Sequence, residues 1–121
     1  MSNVEIARRG WEAAQRGDLD AMAELLDPEV KWHGGDPSDP SSCHNRTEAL
    51  EFMRQAQKRG PVGDLVDILD AGDKVVLITR RLSDDGEPVE SANVSTFRDG
   101  KAVEMVHYEN PDDARAAAGL T

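Results

Sequence analysis

Three glycine-bearing turns, Asp70-Ala71-Gly72-Asp73, Asp84-Asp85-Gly86 and Arg98-Asp99-Gly100-Lys101, cut the second half of the chain into four extended runs. Asp-Gly takes the positive φ angles that tight hairpin turns demand, so the last of these is the strongest signal. The runs cover residues 62–69, 74–82, 90–97 and 102–108. The second contains Val75-Val76-Leu77-Ile78-Thr79, whose β-branched side chains suit a pleated surface. Connections this short join antiparallel neighbours, because a parallel crossover needs a dozen residues or more. This half of the chain therefore predicts an antiparallel sheet built from hairpins.

The first half reads differently. Val4, Ala7, Trp11 and Ala14 recur at helical spacing and predict a helix over 3–16, ended by Gly17. Asp18 is placed to cap a second helix, 19–26, carrying Leu19, Met22, Leu25 and Leu26, with Pro28 closing it. Residues 30–33 predict a short strand. The stretch 34–42, Gly-Gly-Asp-Pro-Ser-Asp-Pro-Ser-Ser, is built of turn formers, and a loop of this length is often a lid or a rim. Thr47 is expected to cap a third helix, 48–58, with Ala49, Leu50, Phe52 and Met53 inward and Gly60-Pro61 as its stop. Pro111 should end the last strand, with a short terminal helix over 112–118.

Helices gathered against antiparallel strands predict an α+β layer fold, and residues 1–121 form a single domain with no internal repeat and no linker. The formal charge of −10 would repel a nucleic-acid backbone or an anionic membrane, so neither is an expected partner. One cysteine, Cys43, excludes an intrachain disulfide and fits a reducing compartment, so a cytoplasmic location is expected. No apolar run reaches the roughly 20 residues of a membrane helix, and the N-terminus lacks the pattern of a secretory signal. Trp11, Trp32, Phe52, Phe97 and Tyr108 are the whole aromatic complement, so each carries a large share of core or pocket wall.

Three stretches carry a resemblance over nearly the full length: Arg16-Gly17-Asp18-Leu19-Asp20 with Leu25 to Val30, Asn45-Arg46-Thr47-Glu48-Ala49-Leu50-Glu51-Phe52, and Thr96-Phe97-Arg98-Asp99-Gly100-Lys101 with Val103 and Tyr108. In order and spacing the chain resembles the nuclear-transport-factor-2-like superfamily, in its branch of SnoaL-like polyketide cyclases and ketosteroid isomerase. The resemblance implies a cystatin-like fold. A cone-shaped, curved, largely antiparallel (mixed) sheet packs on three helices and encloses one pocket. A homodimer through the outer sheet face is implied as well, in keeping with alternate apolar residues there. Asn45 stands where the family usually has glycine, and asparagine also tolerates left-handed φ.

The same alignment with ketosteroid isomerase puts His33 at the place of the catalytic base. A slip of one residue would turn Trp32 inward instead. His107 shares a strand face with Val103 and Met105, and Asn93 shares one with Ser95 and Phe97. The expected catalytic set is His33, His107 and Asn93, with imidazole as acid or base and the amide steadying an oxyanion. The plain alternatives are a hydrogen-bonded or wet histidine at a strand end and an asparagine bonded to its neighbours. The isomerase's first-helix tyrosine falls at Gly10, which argues against that enzyme's own reaction. Trp11, Trp32, Phe52, Met53, Ser95, Phe97 and Met105 are expected to line the pocket. One of Arg80 and Arg81 faces inward if the strand is regular, unless both pass the sheet edge. His33, His44 and His107 lack the spacing of a metal site, so no metal and no cofactor is expected. Cys43 reads as a small buried hydrophobe.

Two functions follow. The first is a cofactor-independent cyclase, isomerase or dehydratase acting on an apolar carbonyl compound by histidine acid–base catalysis. The second is a binding module holding a small apolar molecule, or a partner chain, in the same cavity.

Overall fold

A computed structural model describes residues 2–36, 38–58 and 63–120. The expected helix stop at Gly60-Pro61, the strand start at Val62 and the loop residue Pro37 lie outside the described residues. Helix α1 (Asn3–Arg16) starts where the Ser2 side chain accepts from the Glu5 N–H, and it ends at Gly17 with φ 73°. Asp18 caps α2 (Leu19–Leu25) by accepting from the Ala21 N–H.

Strand β1 (Leu26–His33) begins one residue after α2, earlier than the sequence predicts. Leu26 belongs to this strand, not to the helix. Pro28 lies inside β1, in the irregular stretch between the paired residues Leu26 and Lys31. Proline lacks an N–H, and an unpaired bulge in an edge strand is where it fits.

Asn45, not Thr47, caps α3 (Arg46–Gln57), its side chain accepting from the Glu48 N–H at 2.9 Å. Its φ of −160° is extended, so the position has no need of left-handed tolerance. Strands β2 (Asp64–Ala71), β3 (Lys74–Leu82), β4 (Pro88–Arg98) and β5 (Lys101–Tyr108) follow as expected. The turn between β4 and β5 places Asp99 at φ 53° and Gly100 at φ 79°, the left-handed pair that the Asp-Gly signal demands. Pro111 starts α4 (Pro111–Ala117) instead of only ending a strand, in the first helical turn where its missing N–H costs nothing.

The sheet order is β1-β5-β4-β3-β2, with β1 parallel to β5 and the other pairs antiparallel. The fold is α+β, and its mixed sheet is not closed. Helices α1, α2 and α3 cover its inner face, where Ile6, Ala7, Ala13, Met22, Val75 and Phe97 are among the buried core. Helix α4 covers the outer face, where Val76, Ile78, Ala92 and Val94 pack with Ala114. The alternate apolar residues from which a dimer contact is expected thus lie largely under the chain's own last helix. No helix among the described residues is long and apolar enough to cross a membrane.

Candidate functional site

Strand register decides which side chains meet. In the antiparallel part of the sheet, directly paired residues share a face. Leu77 pairs with Asn93, and Asn93 pairs with His107, so the three share one face. Val75, Ser95 and Met105 form the next row on that face, and Met105 pairs with Trp32 across the parallel junction. Thr79, two residues beyond Leu77, continues it.

This inner face and the three helices above it leave a cavity of about 300 Å³. Trp11, Trp32, Met53, Ser95, Phe97 and Met105 line it as expected, and Asn93 does too. Gly10 lines it without a side chain, beside Trp11. Leu19, Leu25, Leu77 and Ala102 add apolar wall, while Gln57 and Thr79 add polar atoms that the sequence reading missed. The signal for Thr79 was its alternation with Leu77. Gln57 gave none, since it stands at the last turn of a helix whose exposed face is also polar. No charged side chain and no imidazole lines the cavity among the described residues.

His33 does not reach it. Trp32 takes the inward place, in step with Leu26 and Val30 at alternate positions of β1. His33 points to the other face, buried at 9% exposure. Its Nδ1 accepts from the Gly35 N–H at 3.1 Å, and its Nε2 lies 3.1 Å from Glu104 Oε2. With Nδ1 accepting, the ring proton sits on Nε2 and is donated to the carboxylate. Each ring nitrogen has a structural partner.

Trp32 is held inward from two sides. The chain returning from the 34–42 loop bonds to it at Cys43, with Cys43 N–H donating to Trp32 O at 2.8 Å and Trp32 N–H to Cys43 O at 3.0 Å. Phe52 meets the Trp32 ring edge-on, with centroids 4.9 Å apart. Phe52 itself is 43% exposed and is not part of the wall, a correction to its expected place. Met53, the next residue along the helix, is buried in its stead. No described residue of the 34–42 loop lines the cavity. The loop packs on His33 and is tied by its own Asp-Ser turns.

His107 shares the face of Asn93 but is exposed, past the cavity wall. The three expected catalytic groups therefore do not converge: Asn93 is inside, His107 outside on the same face, and His33 on the opposite face. Arg80 and Arg81 are both exposed. His44 is exposed beside the start of α3, with Nδ1 3.0 Å from Glu48 Oε1. The same carboxylate accepts from the His44 N–H, and these bonds hold it below the usual glutamate range. Cys43 is buried, and burial, with Glu48 nearby, pushes its thiol up, away from nucleophilic thiolate. Among the described residues no group of three or more His, Cys, Asp or Glu could hold a metal ion.

Two atoms of the lining residues have no partner. Trp11 Nε1 and Asn93 Oδ1 are both buried without a hydrogen bond.

The sequence model of the SnoaL-like domain family matches residues 7–105. No curated protein matches the chain. Among solved structures, an NTF2-like protein of unknown function from Burkholderia pseudomallei is 22% identical, with 96% of this chain and 97% of that one covered and a TM-score of 0.71. An uncharacterised cystatin-fold protein from Novosphingobium aromaticivorans is 19% identical, with 88% and 97% covered and a TM-score of 0.74. TerC, co-crystallised with polyporic acid, is 18% identical, with 97% and 98% covered and a TM-score of 0.71. At these identities the likeness is one of fold.

Proposed function

The chain belongs to the SnoaL-like domain family, and on that premise we propose that it binds a small, largely apolar, uncharged organic molecule between its helices and its sheet. The observation that carries this reading is the lining: an apolar hollow of about 300 Å³ with no charge on its described walls. Pockets of this kind bury most of a ligand's surface against apolar side chains and orient it with few polar groups. A charged ligand would lose its hydration without meeting a counter-charge. TerC, which shares the fold, was co-crystallised with polyporic acid, and that supports an organic occupant here.

The test is titration of an uncharged bicyclic aromatic compound into the protein, followed by amide chemical shifts. Shifts should concentrate at Ala14, Leu77, Asn93 and Met105. The variant Ala14→Phe, which fills the hollow from α1, should abolish binding while keeping a cooperative unfolding transition. Full binding by that variant would overturn the reading.

A second reading is favoured by one observation: His107 pairs directly with Asn93 on the cavity side of the sheet. Side chains so paired stand about 5 Å apart at Cβ. On this reading the protein is a cofactor-independent cyclase, isomerase or dehydratase, and His107 acts at the mouth. The imidazole takes a proton from the carbon beside a substrate carbonyl. The C–H electron pair moves into the enolate, whose oxygen accepts from the Asn93 amide N–H. The imidazolium then returns the proton to another carbon or to a departing hydroxyl. His107→Ala should lower turnover about 100-fold or more without weakening binding. Unchanged turnover would leave the binding reading alone.

A further inference from the structure

The binding reading, on which this inference rests, leaves the size of the occupant open, and one residue of the wall bears on it. Gly10 stands in the middle of α1 and lines the cavity. Glycine is the poorest helix former after proline, because it loses the most backbone freedom and has no side chain to pack. A glycine in a helix interior therefore needs a reason.

Neither of the usual structural reasons holds here. The first is a positive φ, and Gly10 has none. The second is the close approach of another stretch of chain. Gly63 shows that case: a β-carbon there would stand 2.4 Å from the Arg80 carbonyl oxygen, so no larger residue fits. At Gly10 the nearest described atom beyond its own stretch of helix is Leu25 Cδ1, which a β-carbon would meet at 3.7 Å, an ordinary contact. Leu25 is itself part of the cavity wall. The fold has room for a side chain at this position, and that side chain would stand in the hollow.

We propose that Gly10 sets the size of the molecule the cavity accepts. Its missing side chain is a notch in the α1 wall that part of the occupant fills, and the helix forgoes stability to keep the notch open. The residue acts by space alone. A body of two fused rings reaches into the notch, whereas a single ring leaves it empty. Any side chain at this position shifts the preference toward the smaller body.

Acetophenone and 2-acetonaphthone carry the same carbonyl group and differ by one ring. Both are titrated into the full chain and into Gly10→Ala and Gly10→Leu, with affinity read from amide shifts and stability from denaturant unfolding without probe. The parent should hold 2-acetonaphthone about tenfold tighter than acetophenone, since the second ring buries more apolar surface. Gly10→Leu should lose about tenfold in affinity for 2-acetonaphthone and less than about threefold for acetophenone. Gly10→Ala should fall between parent and Gly10→Leu for the larger probe. Both variants should unfold at higher denaturant than the parent, because alanine and leucine are better helix formers. Damage to the fold cannot produce a gain in stability together with a size-selective loss of binding. If Gly10→Leu keeps full affinity for 2-acetonaphthone, or loses both probes equally, the inference is overturned and the binding reading stands. Earlier unfolding of Gly10→Ala, or failure of Gly10→Leu to fold, would show that the glycine serves packing and would overturn the inference as well. Failure of both ketones to bind the parent at millimolar concentration would overturn the binding reading too.

Discussion

The two faces of strands β3, β4 and β5 are made from alternate residues of the same sequence, and they have opposite characters. Outward, Val76, Ile78, Ala92 and Val94 close against α4 with at most 4% exposure each. Inward, Leu77, Thr79, Asn93 and Ser95 border a hollow. The polar groups differ in the same sense. His33, on the outer side, has a partner for each ring nitrogen, whereas Asn93 and Trp11, on the inner side, include buried atoms with none. A period of two lets one strand serve two purposes at once. One set of side chains supplies the cohesion that the other set forgoes, and chemistry is left to the face where packing is incomplete.

The widest separation between the faces should appear in core truncation. Ile78 is 1% exposed, and Ile78→Ala should cost about 2–5 kcal/mol, since removing it opens a new void. Leu77→Ala, one residue away, removes a side chain that already borders empty space, so the void penalty is largely missing and about half that cost is expected. Denaturant unfolding of the two variants measures the gap. Equal losses would mean that the inner face is as tightly filled in solution as the outer one.

The histidines sharpen the contrast next. His33→Phe keeps the bulk but drops the bonds to Glu104 and Gly35, and it should cost about 1–2 kcal/mol of stability while leaving probe binding unchanged. His107→Ala, at an exposed position, should stay within about 0.5 kcal/mol of the parent. A variant at His33 that abolished binding without loss of stability would return that residue to the site.

How legible these faces were follows from how local the signals are. The hairpins were readable because Asp99-Gly100 sets its own backbone, and the partners of β3, β4 and β5 follow from such turns. Hence Asn93, Ser95 and Met105 fell on the inner face as expected. The parity of β1 was not readable. It is paired in parallel with β5 across most of the chain, so no local turn tells whether Trp32 or His33 faces inward. Phe52 was misplaced because neighbours on a helix lie only about 100° apart, and the inner stripe of α3 runs through Ala49 and Met53. Pro111 has two local meanings, a strand stop and a first-turn residue, and only Asn110 before it, bonded to the Asp112 N–H, decides for the helix. Orphaned atoms such as Trp11 Nε1 leave no trace in a sequence, since they are defined by what is absent around them.

Asn93→Leu tests the cost of leaving the inner face unfinished. Replacing an amide whose oxygen is buried without a partner should raise stability by about 1 kcal/mol, the reverse of the usual sign for a substitution. The protein would unfold at higher denaturant. A loss of stability of the same size would show that Asn93 is satisfied in solution.

The smallest effect concerns the loop beside His33, which belongs to neither face. Asp36 accepts from the Ser38 hydroxyl and N–H, and Asp39 from those of Ser41, all within 2.9 Å. These bonds, the hydroxyls first, hold both carboxyls below the ordinary aspartate value of 3.8. A carboxyl depressed in the folded state contributes stability that is present above the unfolded value. That contribution fades as pH falls through the lowered folded value. Protection of the Ser38 and Ser41 amides, corrected for intrinsic exchange, should therefore be flat from neutral pH down to about 4 and fall only in stronger acid. The Val76 amide, inside the sheet, should not follow it. Asp36→Asn and Asp39→Asn should remove the acid dependence at their own turn and leave the cavity's affinity for its probe untouched. A change in that affinity would tie the loop to the hollow, through the Cys43–Trp32 bridge that follows it.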